Sequence, residues 1–394
     1  MRKPSSPARP TFTRVGRSLG AVAVGAGLIL TSACGGGGGG STPATGTGSG
    51  FDAATYFEGK TIQVIVTHSA GGGTDLFGRF IATRLSDKIP GHPRVSVTNK
   101  GGAGGMTDVV KAPEEELVVG VTSQGSALYL AAQDPEAGFA ASDVHFVGST
   151  GGEPRSIIAY GDVAKAFNTF TDAIGKPEPT FKSAGTVGGP VDIVSDAFMV
   201  PWLCENLRLS CKLFSVADDD SSDLNLMIER GEMNLQSGTL VGAIRDHSKE
   251  LADGSAKIYM SFAEDPHTTV TPPPGVTVLP ATEALPQNLQ SDYARILPVV
   301  GGGDVGRSFW AGPNIPTEVL DVLRTAYTDV VSDPAVVTEM QSVLSGGADG
   351  YVVSAVNGAD TQKAYEAALG EYTDNQSYYG DLQQKYWDKY WNAA

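Results

Sequence analysis

Four loops carry the residue types that could do chemistry in this chain. His68-Ser69-Ala70-Gly71-Gly72-Gly73-Thr74-Asp75 joins an apolar, β-branched run to a helical one. Asn99-Lys100-Gly101-Gly102-Ala103-Gly104-Gly105-Met106 and Ser183-Ala184-Gly185-Thr186-Val187-Gly188-Gly189-Pro190 occupy similar junctions, as does the shorter Ser123-Gln124-Gly125-Ser126. Unpaired N–H groups and the helix dipole favour an anion at a helix start. Glycine lets a ligand come close to the backbone. The chemistry these loops suit is anion binding by main chain and hydroxyls. The first loop lacks the Gly-Lys-Ser/Thr of a phosphate loop and does not spell the dinucleotide G-x-G-x-x-G. The plainer alternative is a strand-to-helix turn with Thr74 as N-cap.

Other constellations point nowhere catalytic. His68 and Ser69 are adjacent, but no G-x-S-x-G elbow occurs, so Ser/His hydrolysis is not signalled. The five histidines are scattered, and no metal or cofactor is expected. Asp218-Asp219-Asp220 with Asp223 lacks the glycine and terminal glutamate of a calcium loop and reads as a solvated turn. Tyr378, Tyr379, Tyr386, Trp387, Tyr390 and Trp391 read as a helix packed on its own body rather than a membrane or partner stripe.

The elements that position these loops alternate. Strands are expected at 61–67, 94–98, 117–122 and 145–148, with helices over 74–89 and from 126 to 133. In 74–89, Leu76, Phe77, Phe80, Ile81, Leu85 and Ile89 recur at spacings of three and four. The pattern restarts with strands at 181–183, 212–216 and 233–236 and helices over 190–204 and 223–230. Residues 264–306 read as irregular, rich in Pro and Gly. Helices follow over 317–331, 334–344 and 361–389. Two such units plus C-terminal helices argue for a bilobed α/β molecule with mostly parallel sheets.

Composition narrows the partners. The 394 residues include 28 Lys+Arg against 44 Asp+Glu, a net charge of −16, which argues against nucleic acid. Glycine, at 50 residues, has no G-X-Y period, so it belongs to a linker and to loops.

The N-terminus reads as an export signal. Five basic residues and no acid precede an apolar stretch from Leu19 to Leu30, too short to span a bilayer, and then Thr31-Ser32-Ala33-Cys34. The small residues before Cys34 resemble a bacterial lipobox, so residues 1–33 are expected to be a lipoprotein signal peptide with Cys34 as the lipidation site. An ordinary cleaved signal is the alternative. Residues 34–50 form a Gly-rich tether. Removing the signal leaves 23 basic residues and a net charge of −21. Cys204 and Cys211 are expected to pair as a disulfide, since two nearby thiols outside the cytoplasm usually do.

A family resemblance then becomes specific. Lys60-Thr61-Ile62, Ala70-Gly71-Gly72-Gly73-Thr74-Asp75, Arg79, Leu85 and Asn99-Lys100-Gly101-Gly102-Ala103-Gly104-Gly105 resemble the opening of the Bug-family receptors of tripartite tricarboxylate transporters. Val147-Gly148-Ser149, Ser183-Ala184-Gly185 and the Phe309–Thr317 segment resemble later landmarks of the same family. Where the family's second-lobe loop continues with Ser and His, this chain has Gly189 and Asp192.

The resemblance implies a two-lobe, type II periplasmic-binding-protein fold. Its first lobe would be residues 51–155 plus 275–394, and its second 156–274. It places a carboxylate between Ser69, Gly71, Gly72, Thr74 and Asp75 of one lobe and Ser183, Gly185, Thr186 and Gly188 of the other, with Ser123, Gln124 and Ser126 on the wall. Asp75 is either a ligand contact or a helix-start charge, and the latter is preferred. A site of backbone N–H groups, hydroxyls and waters needs no arginine. The expected function is that of a monomeric, lipid-anchored, extracytoplasmic binding protein, not an enzyme. It would hand a small organic acid to membrane transporter subunits. The alternative is a sensor or adaptor of the same fold that acts through a protein partner.

Overall fold

Asp52 accepts from the Thr55 N–H and so starts a short helix, α1 (Ala53–Phe57), that leads into the first strand. A computed structural model describes residues 50–133, 137–185, 187, 195–216, 221–262, 270–300, 305–348 and 350–392. The signal, Cys34 and the tether up to Ser49 lie outside these residues. Contacts divide the chain after Ser49, and the described residues all fall in the unit Gly50–Ala394.

The first part of the chain follows the expected alternation. It runs β1 (Thr61–Val66), α2 (Gly73–Lys88), β2 (Arg94–Asn99), α3 (Gly102–Lys111), β3 (Leu117–Thr122), α4 (Ser126–Ala131) and β4 (His145–Ser149). All six residues of β3 are buried, as expected for a strand covered on both faces. Next come β5 (Arg155–Tyr160), α5 (Gly161–Ala166), α6 (Phe170–Ala173), β6 (Phe181–Gly185), α7 (Ser195–Asn206) and β7 (Cys211–Ser215). The middle of the chain continues as α8 (Ser221–Glu229), β8 (Leu235–Thr239), α9 (Leu240–Asp246), α10 (Ser248–Asp253) and β9 (Ala256–Ser261). It closes with α11 (Ala281–Ala284), α12 (Gln290–Val300), β10 (Ser308–Ala311), α13 (Thr317–Val331), α14 (Pro334–Ser345), β11 (Val356–Asn357), α15 (Gly358–Asp374) and α16 (Gln376–Tyr386). A single π-type turn over Trp387–Trp391 follows.

The strands form separate sheets. The larger has six strands in the order β11-β4-β10-β3-β1-β2, with β1, β2 and β3 parallel. The late strand β10 inserts antiparallel between β3 and β4, and β11 pairs antiparallel with β4. The remaining strands make the antiparallel set β8-β5-β9 and the parallel pair β6-β7. Parallel pairing thus covers the βαβ units, where helical crossovers connect the strands.

Two glycines in the large sheet make room for aromatic rings. A Cβ on Gly120 would come 2.5 Å from Cε2 of Trp310, and one on Gly148 would come 2.2 Å from the Tyr327 ring. Both rings are fully buried. Trp310 and Tyr327 therefore pack directly on the backbone of β3 and β4, from opposite faces of the sheet.

Strands β5, β9 and β10 and helices α5, α6, α9 and α10 were not expected, and two further stretches depart from the expected pattern. The segment 264–306 contains α11 and α12 rather than only irregular chain, with Tyr293, Ile296, Val299 and Val300 of α12 buried. Pro298 lies within α12 near its end, so the Pro and Gly density that suggested a loop conceals a helix. The long C-terminal helix breaks at Asn375 into α15 and α16.

Cys204 and Cys211 form a disulfide between the end of α7 and the start of β7, with a Cα–Cα distance of 6.1 Å. The C-terminal aromatics pack on the body. Tyr372, Tyr379, Tyr386 and Trp391 are buried, and the Tyr386 ring lies 5.3 Å from that of Phe198 in α7. No helix of the described residues is long and apolar enough to cross a membrane.

Candidate functional site

The site begins where β1 ends. Thr67 extends the pairing with β3, its N–H donating to the Val121 carbonyl at 2.9 Å. The chain then turns through 68–72, with Gly71 at φ 88°, a conformation that favours glycine. Helix α2 starts at Gly73 with Gly72 as N-cap, so no cap side chain competes for the first N–H groups. Thr74, the N-cap of the plainer alternative, lies instead one residue inside the helix and is buried.

Asp75 organises this loop. Its Oδ2 accepts from the Gly71 N–H at 2.9 Å, and its Oδ1 accepts from Arg79 Nε and Asn99 Nδ2, each at 2.9 Å. Asn99 Nδ2 also donates to the His68 carbonyl at 3.0 Å. Burial alone would raise the Asp75 pKa. The bonds from Arg79, Gly71 and Asn99 outweigh it and hold the carboxyl below its ordinary value. Both carboxylate oxygens are engaged within the loop, which matches the helix-start reading of Asp75.

The second glycine loop is a packing device. A Cβ on Gly105 would fall 2.1 Å from the Lys100 carbonyl oxygen, so α3 can approach its own entry strand only with glycine there.

The β3–α4 loop brings in the remaining polar groups. Gly125 donates to the Val305 carbonyl at 3.1 Å, tying this loop to the segment before β10. Gln124 and Ser126 are buried and Ser123 is half-buried. Gln124 Oε1 accepts from Arg155 Nη1 at 3.3 Å, and Arg155 Nη2 donates to Ser237 Oγ at 3.3 Å. Arg155 thereby joins the loop after β3 to strand β8.

A second arginine lies beside the first loop. Arg307 is 3% exposed and ion-paired with Glu153, which also accepts from Thr150 Oγ1 at 2.7 Å. A Cβ on Gly73 would stand 2.5 Å from Arg307 Nη2, so the guanidinium rests against the first residue of α2. His68 responds to this setting. Burial, then Arg307 and Arg155, pull its pKa down to about 4, so the imidazole is neutral at physiological pH.

The structure thus gathers Ser69, Gly71, Gly72, Thr74 and Asp75 beside Ser123, Gln124 and Ser126, through neighbouring strands β1 and β3. The residues expected opposite them are placed differently. Ser183 and Gly185 are on β6, buried on the face that carries Phe181. A Cβ on Gly185 would meet Ala197 of α7 at 3.1 Å and Trp391 at 3.5 Å, so this glycine packs inward. Thr186, Gly188, Gly189 and Asp192 lie outside the described residues, as do Asp218, Asp219 and Asp220.

Sequence reasoning expected no arginine here and missed Arg155, Arg307 and Glu153. Their only local signal is a charged residue next to glycine or proline at a strand entry, in Glu153-Pro154-Arg155 and Gly306-Arg307. Among the described residues no group of three or more His, Cys, Asp or Glu could hold a metal ion.

No family model and no curated protein sequence matches the chain. Solved structures do. BugD, a periplasmic binding protein, is 18% identical, with 83% of this chain and 97% of that one covered at a TM-score of 0.55. MatC of Rhodopseudomonas palustris, solved with bound malate, is 19% identical over 82% of this chain and 99% of its own, with a TM-score of 0.56. A further R. palustris protein, solved with adipate, is 16% identical over 82% and 97%, also with a TM-score of 0.56. The chain therefore has the two-lobe periplasmic-binding-protein α/β fold.

Proposed function

We propose that the chain is an extracytoplasmic solute receptor of the Bug kind, which captures a small organic acid between its lobes and delivers it to a tripartite tricarboxylate-type transporter. The observation that carries this reading is the meeting of the glycine N-terminus of α2 with the buried Arg307 guanidinium in an otherwise acidic protein. Uncapped N–H groups and a helix dipole already favour an anion, and a nearby cation strengthens that preference. Fold neighbours solved with malate and adipate support a carboxylate as the ligand. Ligand sites of α/β folds lie at the carboxyl ends of strands, which is where these loops stand.

In this reading the lobes are residues 51–155 plus 275–394 and residues 156–274. The strand sets support that division, because β1–β4, β10 and β11 form one sheet while β5, β8 and β9 form another and β6 and β7 a third, with one bridge from Ser261 of β9 to Pro280. Ser69, Gly71, Gly72 and Thr74 face the ligand, and Ser123, Gln124 and Ser126 form the wall. Cys34 carries the lipid, and the tether behind it sets the body off the membrane. No chemistry is performed on the ligand.

Thermal unfolding of the chain with a panel of dicarboxylates, aromatic acids and amino acids tests this. One acid should raise the melting temperature by several degrees and in proportion to the logarithm of its concentration. A flat response across the panel would overturn the proposal and favour a partner-binding adaptor.

A further inference from the structure

We infer that the C-terminal arm is a clasp that fastens the two lobes along one side, and that the Cys204–Cys211 disulfide braces the turn it grips. The inference rests on the lobe division above but not on any ligand, and its test uses none.

The arm is rooted on the six-stranded sheet. Helix α15 lies along β4: Gln362 Oε1 accepts from the Phe146 N–H at 2.9 Å, Gln362 Nε2 donates to the Val144 carbonyl at 3.1 Å, and Thr361 Oγ1 lies 3.1 Å from Ser149 Oγ. Past the break at Asn375, Tyr379 Oη donates to the Arg295 carbonyl of α12 at 2.6 Å. The far end sits on the β6–β7 unit. There Tyr386 meets Phe198 of α7, and Trp391, 6% exposed, lies 3.5 Å from where a Cβ on Gly185 of β6 would be. Lys385, Lys389 and Tyr390 converge on Glu205 at the end of α7. One arm therefore holds β4 and β6, which belong to separate sheets. Both halves of it are helical and have little slack, so moving those strands apart detaches one end. The far end is the one that yields: its lysines are about half exposed and it is the end of the chain.

The pivot lies on the other side. The chain crosses from β4 to β5 through 150–154, where the Leu240 N–H of α9 donates to the Pro154 carbonyl at 2.8 Å. Arg245 of α9 donates to the Leu344 carbonyl of α14 at 3.2 Å. Leu240 and Leu344 share one hydrophobic core, whereas Tyr365, Tyr372, Tyr379, Tyr386 and Trp391 of the arm belong to the other. A body joined by its own crossover on one side and by a chain end on the other opens on the second side.

The disulfide holds the gripped turn. Glu205 follows Cys204 directly, inside the loop that the bond closes onto the first residue of β7. The same loop keeps Arg208 at φ 53°, a conformation that side-chain-bearing residues rarely adopt. Cys211 is half-buried, so a small dithiol can reach the bond. Exchange converts it to two thiols while the dithiol is oxidised to its cyclic disulfide, and the turn under Glu205 is released.

Hydrogen exchange and small-angle X-ray scattering of the chain test this, on wild type, on Trp391→Ala, on Glu205→Gln, and on wild type reduced with dithiothreitol. Trp391→Ala and reduction should each speed exchange of the 376–391 amides about tenfold or more, leave the 358–372 amides protected, and raise the radius of gyration. Glu205→Gln removes only partly exposed ion pairs, so it stays folded and should speed the same amides about twofold to fivefold. Faster exchange spread evenly over the chain, or a freed arm with an unchanged radius of gyration, would overturn the clasp. Unchanged arm exchange once both thiols are titratable would overturn the part given to the disulfide. Failure of the chain to bind any acid would count against the receptor reading alone.

Discussion

The Gly71 N–H donates to Asp75 Oδ2 at 2.9 Å, closing the loop after β1 onto the first turn of the helix it leads into. Arg79 and Asn99 hold the same carboxylate from the other side. Asp75→Ala removes the acceptor for all three and should destabilise the protein by about 1–3 kcal/mol. It should also weaken ligand binding, because the loop then loses its shape. Since the folded pKa of Asp75 is depressed, its contribution is present above the unfolded carboxyl value and lost as pH falls through the folded one. Urea unfolding of wild type and variant at pH 7 and pH 3 checks both points, the difference between them shrinking at the lower pH.

His68 acts in the same direction in a higher pH window. Its folded pKa of about 4 lies below the ordinary value of about 6.5, so the unfolded chain binds the extra proton between them. Stability should therefore fall as pH drops from about 6.5 toward 4. In His68→Gln that part of the pH dependence should vanish. Melting temperatures across this window, compared between the two proteins, read it directly.

The C-terminal arm is clasped to α7. Glu205 accepts from Tyr390 at 2.8 Å and is paired with Lys385 at 3.1 Å and with Lys389. Burial would raise its pKa, but Lys389, Tyr390 and Lys385 bring it down to about 2. Just beyond, Trp391 covers Gly185. Both lysines are about half exposed, so the ion pairs themselves contribute little, and the buried indole contributes more. Trp391→Ala should destabilise by about 3 kcal/mol, and Glu205→Gln by less than about 1 kcal/mol. The Glu205 contribution should fade as pH falls from about 4.5 toward 2. Denaturant midpoints of the two variants give the order.

Gly120 offers a test of the core. With Trp310 Cε2 2.5 Å from where its Cβ would be, Gly120→Ala forces either the indole or β10 to move. Overpacking of this kind destabilises by about 1–3 kcal/mol. A companion Trp310→Phe should recover part of the loss when combined with Gly120→Ala. Simple addition of the two losses in a double-mutant cycle would show that the pair does not act as a unit.

Most of the first half of the fold was legible in the sequence because its signals are local. The β-branched run Thr61–Val66 and the three- and four-residue spacing over Leu76–Leu85 each identify their own element. The β10 strand was not legible as a strand partner. Four residues, Ser308–Ala311, carry no direction or address, and their place between β3 and β4 depends on Gly120 and Gly148 admitting Trp310 and Tyr327. The helix α12 was hidden because Pro298 and the neighbouring glycines are locally read as breakers.

The same division holds for the site. By itself the sequence determined that glycine-bearing loops follow β1 and β3 and that a helix starts behind the first, whereas its cap at Gly72 rather than Thr74 was seen only in the structure. The loops and the helix start depend on residue type and on neighbours within a few positions. The presence of Arg155 and Arg307 at those loops was decided only by the tertiary structure. Gly73 and Arg307 are far apart in the chain and come within contact only because β10 returns beside β3. Long-range pairing of that kind is paid for by the packing of the whole sheet. No local signal in either residue could announce it.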